Sequence, residues 1–150
     1  LIQLTEILNP KQENGKIILI PRMGNTKISS HLPIYVKSVK KEGLNVTWMC
    51  DPMHGNTEKT ENSFKTRKLN RILDEVIRSV QIHKSENSYL GGLHLETAPD
   101  AVTECTGGKE EITNEDLKIN YQSACDPRLN PSQTCELLSN FIKEYTRNQI

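Results

Sequence analysis

A chain of 150 residues is long enough for one domain with a substantial core and too short for two of ordinary size. Nineteen Lys and Arg balance nineteen Asp and Glu, which removes any general attraction to nucleic acid or to an anionic membrane surface. Hydrophobic content of 35% and aromatic content of 5% are low for a self-contained globule, and Leu1 stands where an initiator methionine would be, so the expectation is a piece of a longer polypeptide.

Residues 1–8 place Leu1, Leu4, Ile7 and Leu8 at helical spacing, and Asn9-Pro10 ends them. After a polar turn, Ile17 to Ile20 form an apolar run too short for a helix, which predicts a strand buried on both faces. It runs into Pro21-Arg22-Met23-Gly24-Asn25, where Arg22 offers a rigid fork of donors to a phosphate or carboxylate. Ser29 or Ser30 can cap a helix with an apolar stripe of Leu32, Tyr35, Val36 and Val39, closed by Gly43. A second strand follows in Asn45 to Cys50, so the order is strand, helix, strand, a unit whose strands should be parallel.

That second strand ends in Asp51-Pro52-Met53-His54-Gly55-Asn56-Thr57, a polar turn at a carboxyl end, where α/β enzymes collect ligands and catalytic groups. The segment 58–68 is charged and poor in apolar residues, and predicts a solvated loop. Leu69, Ile72, Leu73, Val76, Ile77 and Val80 give the cleanest helical face, with Asp74, Glu75 and Arg78 on its polar side. Gly91 to Thr97 reads as a third strand, with Leu93 and Leu95 on one face and His94 and Glu96 on the other. A polar inward face is costly unless it is used, which points to Glu96 as ligand or catalyst and to His94 as a supporting partner. Residues 102–108 form a loop, a short polar helix lies around 115–119, and Tyr121 to Asn130 predicts a small-residue strand ending at Asp126-Pro127. Pro131 and Ser132 start the last helix, with Leu137, Leu138, Phe141, Ile142 and Tyr145 as its buried side.

His54, Glu96 and Asp126 thus fall at the carboxyl ends of successive strands, where they would converge on one rim of a parallel barrel. One imidazole and two carboxylates suit a divalent manganese, cobalt, iron or zinc ion, and Arg22 would place a cation beside it for an anionic substrate. The cysteines, Cys50, Cys105, Cys125 and Cys135, show no CxxC pair or disulfide framework, so a reducing compartment is expected. No apolar run reaches the roughly 18 residues of a membrane span, and the first residues lack a signal peptide's pattern.

The blocks RMGN at 22–25, VTWMCDPMHGNT at 46–57, GGLHLE at 91–96, VTEC at 102–105, GG at 107–108 and ACDPRLN at 124–130 resemble the class II 3-deoxy-D-arabino-heptulosonate 7-phosphate (DAHP) synthases, in order and over nearly the whole chain. The resemblance implies a (β/α)8 TIM barrel, of which residues 1–150 would be the C-terminal part, about half, of a single catalytic domain. It implies metal-dependent condensation of phosphoenolpyruvate with erythrose 4-phosphate, the first step of the shikimate pathway. By motif, His54, Glu96 and Asp126 correspond to three of four metal ligands, with manganese or cobalt the preferred ion, and Arg22 to a phosphoenolpyruvate-binding arginine. The family's cysteine ligand and its other anion-binding arginines and lysine have no counterpart here. The segment alone is therefore expected to bind metal weakly and to turn over nothing. A homo-oligomeric full-length enzyme in a bacterial cytoplasm or a plastid would fit. A non-catalytic fragment with a structural role, or another aldolase-type barrel, are the competing readings.

Overall fold

The computed structural model describes residues 1–147, so residues 148–150 of the expected 1–150 unit lie outside the described part. Helix α1 (Ile2–Leu8) is followed by strand β1 (Ile18–Leu19), helix α2 (Ile28–Lys41) and strand β2 (Thr47–Cys50). Next come strands β3 (Thr57–Lys59) and β4 (Lys65–Arg67), helix α3 (Leu69–Ser85), strand β5 (Leu90–Leu93) and helix α4 (Pro131–Arg147), with short 3-10 turns at His54–Asn56 and Asp116–Lys118. Among the described residues no helix is long and apolar enough to cross a membrane.

The architecture is mixed α/β, built on a parallel sheet in the order β1-β2-β5. Helix α2 links the first pair and α3 lies between β2 and β5, as parallel pairing requires. The ladder continues past the strands: Asp51 N–H donates to Pro21 O at 2.9 Å and His94 N–H to Cys50 O at 2.8 Å. These bonds hold the three carboxyl ends level. A fourth segment joins alongside, since Leu129 N–H donates to Glu96 O and Ala98 N–H to Leu129 O.

Two apolar clusters lie behind this rim. Ile28, Leu32, Val36 and Val39 of α2 pack with Trp48, Cys50, Val80 and Leu90, which is the stripe the helical periodicity foretold. Met53, Leu69, Ile72, Cys105, Leu129 and Leu137 form the second cluster directly beneath the polar turns. Burying such side chains stabilises a domain by about 1.5–3 kcal/mol each, so the clusters rather than the short strands carry the fold.

Several expectations change on contact with the structure. β1 is an edge with Ile18 49% and Ile20 43% exposed, not a strand covered on both faces, because β2 is its only neighbour among the described residues. Helix α2 starts at Ile28 after Lys27, and Ser30 lies inside its first turn with its hydroxyl on Lys27 O, so neither serine caps it. Tyr35 is 41% exposed, outside the packed stripe. In α4 Leu137 is buried and Phe141 and Tyr145 are half-buried against the first cluster, whereas Leu138 and Ile142 stay exposed. Asn130 and Gln133 exchange bonds at its start, a capping box that fixes where the helix begins.

The segment 58–68 is not a solvated loop throughout: β3 and β4 pair antiparallel as a hairpin whose turn holds Ser63 at φ +64. Residues 121–130 form bends with one parallel bridge, Thr97 to Leu129, instead of a strand. The reason is local competition for donors. Pro127 has no N–H, and the Glu104 carboxylate takes the N–H groups of Gln122, Ser123 and Arg128 that a ladder would need.

Candidate metal centre

Three side chains meet at the level rim. One ligand atom from each of His54, Glu96 and Asp126 lies within 4.8 Å of the others. His54 Nε2 stands 3.5 Å from Glu96 Oε1 and 3.8 Å from Asp126 Oδ2. All three are partly buried, open enough for exchange and shielded enough for charge to matter.

The turn after β2 orients the imidazole. Asp51 is 3% exposed, and its Oδ1 accepts the N–H of Met53 at 2.9 Å and of His54 at 3.2 Å, which winds the backbone into the 3-10 turn. Its Oδ2 lies 2.6 Å from His54 Nδ1. A carboxylate on Nδ1 selects the tautomer in which Nε2 carries a lone pair. That lone pair then faces two carboxylate oxygens, an arrangement of three acceptors that a divalent cation satisfies. The donor set fits a metal ion: imidazole nitrogen, two oxygens and a carboxylate behind the histidine. His94, exposed, stacks on His54 with ring centroids 6.4 Å apart.

Cations flank the two carboxylates. Lys65 Nζ lies 3.1 Å from Asp126 Oδ1, and this bond holds the Asp126 carboxyl below its usual range, against a smaller opposing effect of burial. Arg67 is completely buried. It donates from one guanidinium nitrogen to Glu96 Oε2 and to Pro127 O, and from Nε to Thr57 Oγ1 at 2.8 Å. A single guanidinium therefore grips Glu96 and the residue beside Asp126 from below. Neither Lys65 nor Arg67 was singled out by sequence reasoning, which took their segment as solvent-facing; the polar alternation of Thr57-Glu58-Lys59 and Lys65-Thr66-Arg67 around a turn was the available signal.

The loop 122–128 that presents Asp126 is held by Glu104, also completely buried. Burial opposes ionisation of Glu104, but the Arg128 fork and the N–H groups of Arg128, Gln122 and Ser123 outweigh it and bring the carboxyl below 4.5. Arg22 is exposed on the loop after β1, at the same rim. Its neighbour Gly24 touches Gly55, the residue after His54. The four cysteines are free, Cys50 and Cys105 buried, Cys125 and Cys135 exposed.

The profile of the Class-II DAHP synthetase family matches residues 1–141. The chain is 48% identical over 139 residues to the phospho-2-dehydro-3-deoxyheptonate aldolase of Neurospora crassa, covering 91% of this chain and 29% of that protein. It is 43% identical over 136 residues to that of Mycolicibacterium smegmatis, with 91% and 29% covered, and 44% identical over 148 residues to that of Streptomyces coelicolor, with 99% and 33% covered. The chain thus spans about a third of the length of these relatives. On this match, the chain belongs to the class-II DAHP synthetase family.

Proposed function

We propose that this chain supplies the metal-binding part of a DAHP synthase active site, with His54, Glu96 and Asp126 as metal ligands and Arg22 as a phosphoenolpyruvate ligand. The observation that carries this reading is the convergence of His54 Nε2 on two carboxylate oxygens at 3.5 and 3.8 Å, with Asp51 fixing the other ring nitrogen. The parallel order β1-β2-β5, with polar turns at level carboxyl ends, supports a (β/α)8 barrel of which this chain is the C-terminal part.

In this reading the methylene carbon of phosphoenolpyruvate bonds to the aldehyde carbon of erythrose 4-phosphate. Water adds to the carbon bearing the phosphate, and inorganic phosphate leaves with cleavage of the carbon–oxygen bond. A bound manganese or cobalt ion, or iron or zinc in their place, would polarise the aldehyde. The chain's own residues do the positioning. Asp51 sets the imidazole, Arg67 and Lys65 fix the positions of the two carboxylates, and the Arg22 guanidinium pairs with the phosphoenolpyruvate anion. The full-length enzyme in this reading is a homo-oligomer of a bacterial cytoplasm or a plastid, and the four free cysteines support a reducing compartment.

The test is calorimetric titration of Mn2+ into the full-length polypeptide containing this chain, with His54→Ala alongside and a phosphoenolpyruvate-consumption assay run with erythrose 4-phosphate. Binding that falls at least about a hundredfold in His54→Ala, together with loss of turnover, is the expected result. Wild-type Mn2+ affinity in His54→Ala would overturn the ligand assignment.

A further inference from the structure

The anion loop and the metal turn meet backbone to backbone. A Cβ placed on Gly24, which sits at φ +84, would fall 2.5 Å from Gly55 O, and one on Gly55 would fall 2.8 Å from Gly24 Cα. Only two glycines let the chains approach this closely. The contact lies two residues from Arg22 and one from His54, so a displacement of either loop is felt by the other.

Behind the contact stands Glu75 of α3, which helical periodicity assigns to the polar face. It is instead completely buried. Its Oε1 accepts the N–H of Gly24 at 2.9 Å and its Oε2 the side-chain amide of Asn56 at 2.7 Å. The N–H of Met23 also bonds to it. Asn56 completes the knot: its Oδ1 accepts the N–H of Asn25 at 3.0 Å, and its amide also donates to Pro52 O at 2.8 Å. One buried carboxylate therefore takes donors from the loop of Arg22 with one oxygen and from the turn of His54 with the other.

An uncharged amide cannot do this. Glutamine has one acceptor oxygen, and its NH2 group would face a donor from one of the two loops. Burying a carboxylate in an apolar setting is costly, and a merely space-filling role would be met better by leucine or methionine. Burial indeed pushes the Glu75 carboxyl up to about 7, against the pull of the Gly24, Asn56 and Met23 bonds.

We propose that Glu75 is a positioning residue that couples the two halves of the site, so that ordering the metal turn orders the anion loop and the reverse. This rests on the assignment of His54 to a metal and Arg22 to phosphoenolpyruvate. By linkage the coupling is reciprocal: the metal tightens phosphoenolpyruvate by the factor by which phosphoenolpyruvate tightens the metal.

The experiment is calorimetry on the full-length polypeptide, titrating phosphoenolpyruvate with and without saturating Mn2+, and Mn2+ with and without phosphoenolpyruvate, in wild type, Glu75→Gln and Asn56→Ala. In wild type each ligand is expected to tighten the other about tenfold, and in Glu75→Gln this factor falls to about twofold, the part owed to direct charge attraction. Asn56→Ala, which unties the turn but leaves Glu75 on the anion loop, should lose the factor likewise. It decides the matter if Glu75→Gln does not fold, as judged by circular dichroism. A folded variant that keeps the wild-type factor overturns the proposal. So does one in which both affinities weaken equally with the factor intact, the mark of a purely structural role. A wild-type protein that binds Mn2+ through His54 without any coupling refutes the clamp alone. Absence of His54-dependent Mn2+ binding refutes the functional assignment beneath it.

Discussion

Glu104→Gln changes one atom in the anchor of the loop that presents Asp126. In the wild type, Glu104 Oε1 accepts the N–H of Gln122 at 3.0 Å, of Ser123 at 2.8 Å and a guanidinium N–H of Arg128 at 2.7 Å. Its Oε2 accepts Arg128 N–H at 2.7 Å and Arg128 Nε at 3.0 Å. Glutamine placed with its oxygen on the three-donor side turns an NH2 group towards two donors; the flipped amide loses three bonds. The smaller loss is two charge-assisted bonds, about 3–6 kcal/mol gross. Arg128 is 30% exposed and a neutral amide is cheaper to bury, so the net cost should be about 3 kcal/mol.

The acid dependence follows with a definite sign. The Glu104 carboxyl is held below 4.5 in the fold, so its stabilisation is fully present above 4.5 and is lost as pH falls through the lowered folded value. Guanidinium denaturation of the full-length polypeptide and of the variant, from pH 7 downwards, measures both quantities. The variant should unfold at lower denaturant at pH 7, and the gap should narrow in acid. A cost under about 1 kcal/mol, or a gap that does not narrow, would refute the account of how this loop is held.

Arg67→Met removes the guanidinium that grips Glu96 and Pro127 O, and Mn2+ affinity measured by calorimetry should fall about 10–100-fold, with unchanged affinity counting against the role given to it. His83 is buried beside Trp48, and burial lowers its imidazole from 6.5 to about 4, so stability present above 6.5 should decline as pH falls towards 4, by about 3 kcal/mol in all. His83→Phe removes the titrating group together with a buried Nε2 that has no hydrogen-bond partner among the described residues, and denaturation across pH 7 to 4 should lose that decline.

What could be read from the sequence was what is written locally. The stripe Leu32, Val36 and Val39 and the run Leu69, Ile72 and Val76 carry their own period, and the alternation of strand and helix implies parallel pairing without any tertiary knowledge. The convergence of His54, Glu96 and Asp126 was legible because each falls in a distinct block at the end of an expected strand. The supporting residues were not, because their burial is imposed by distant chain. Glu75 occupies a polar helical face by period and is covered by loops that arrive from residues 24 and 56. The β3–β4 hairpin lacks an apolar face, and Arg67 is buried through its bonds to Thr57, Glu96 and Pro127. Residues 121–130 resembled a strand in composition, but a carboxylate from residue 104 had already claimed their donors.

The bonds that tie the rim together reach far along the chain: Lys65 to Asp126 spans 61 residues, Arg67 to Pro127 spans 60, and Gly24 to Glu75 spans 51. Such closures come late, after local helices and neighbouring strands have formed. During synthesis from the amino end, His54 can be turned by Asp51 within three residues of itself, while its carboxylate companions are still inside the ribosome. For that interval Arg67, which needs Glu96 and Pro127 to be satisfied, has no reason to be buried, and the hairpin that carries it should remain open. Asp126, the last of the three to emerge, arrives with the loop that presents it, so a nascent chain brings His54, Glu96 and Asp126 together in one late step.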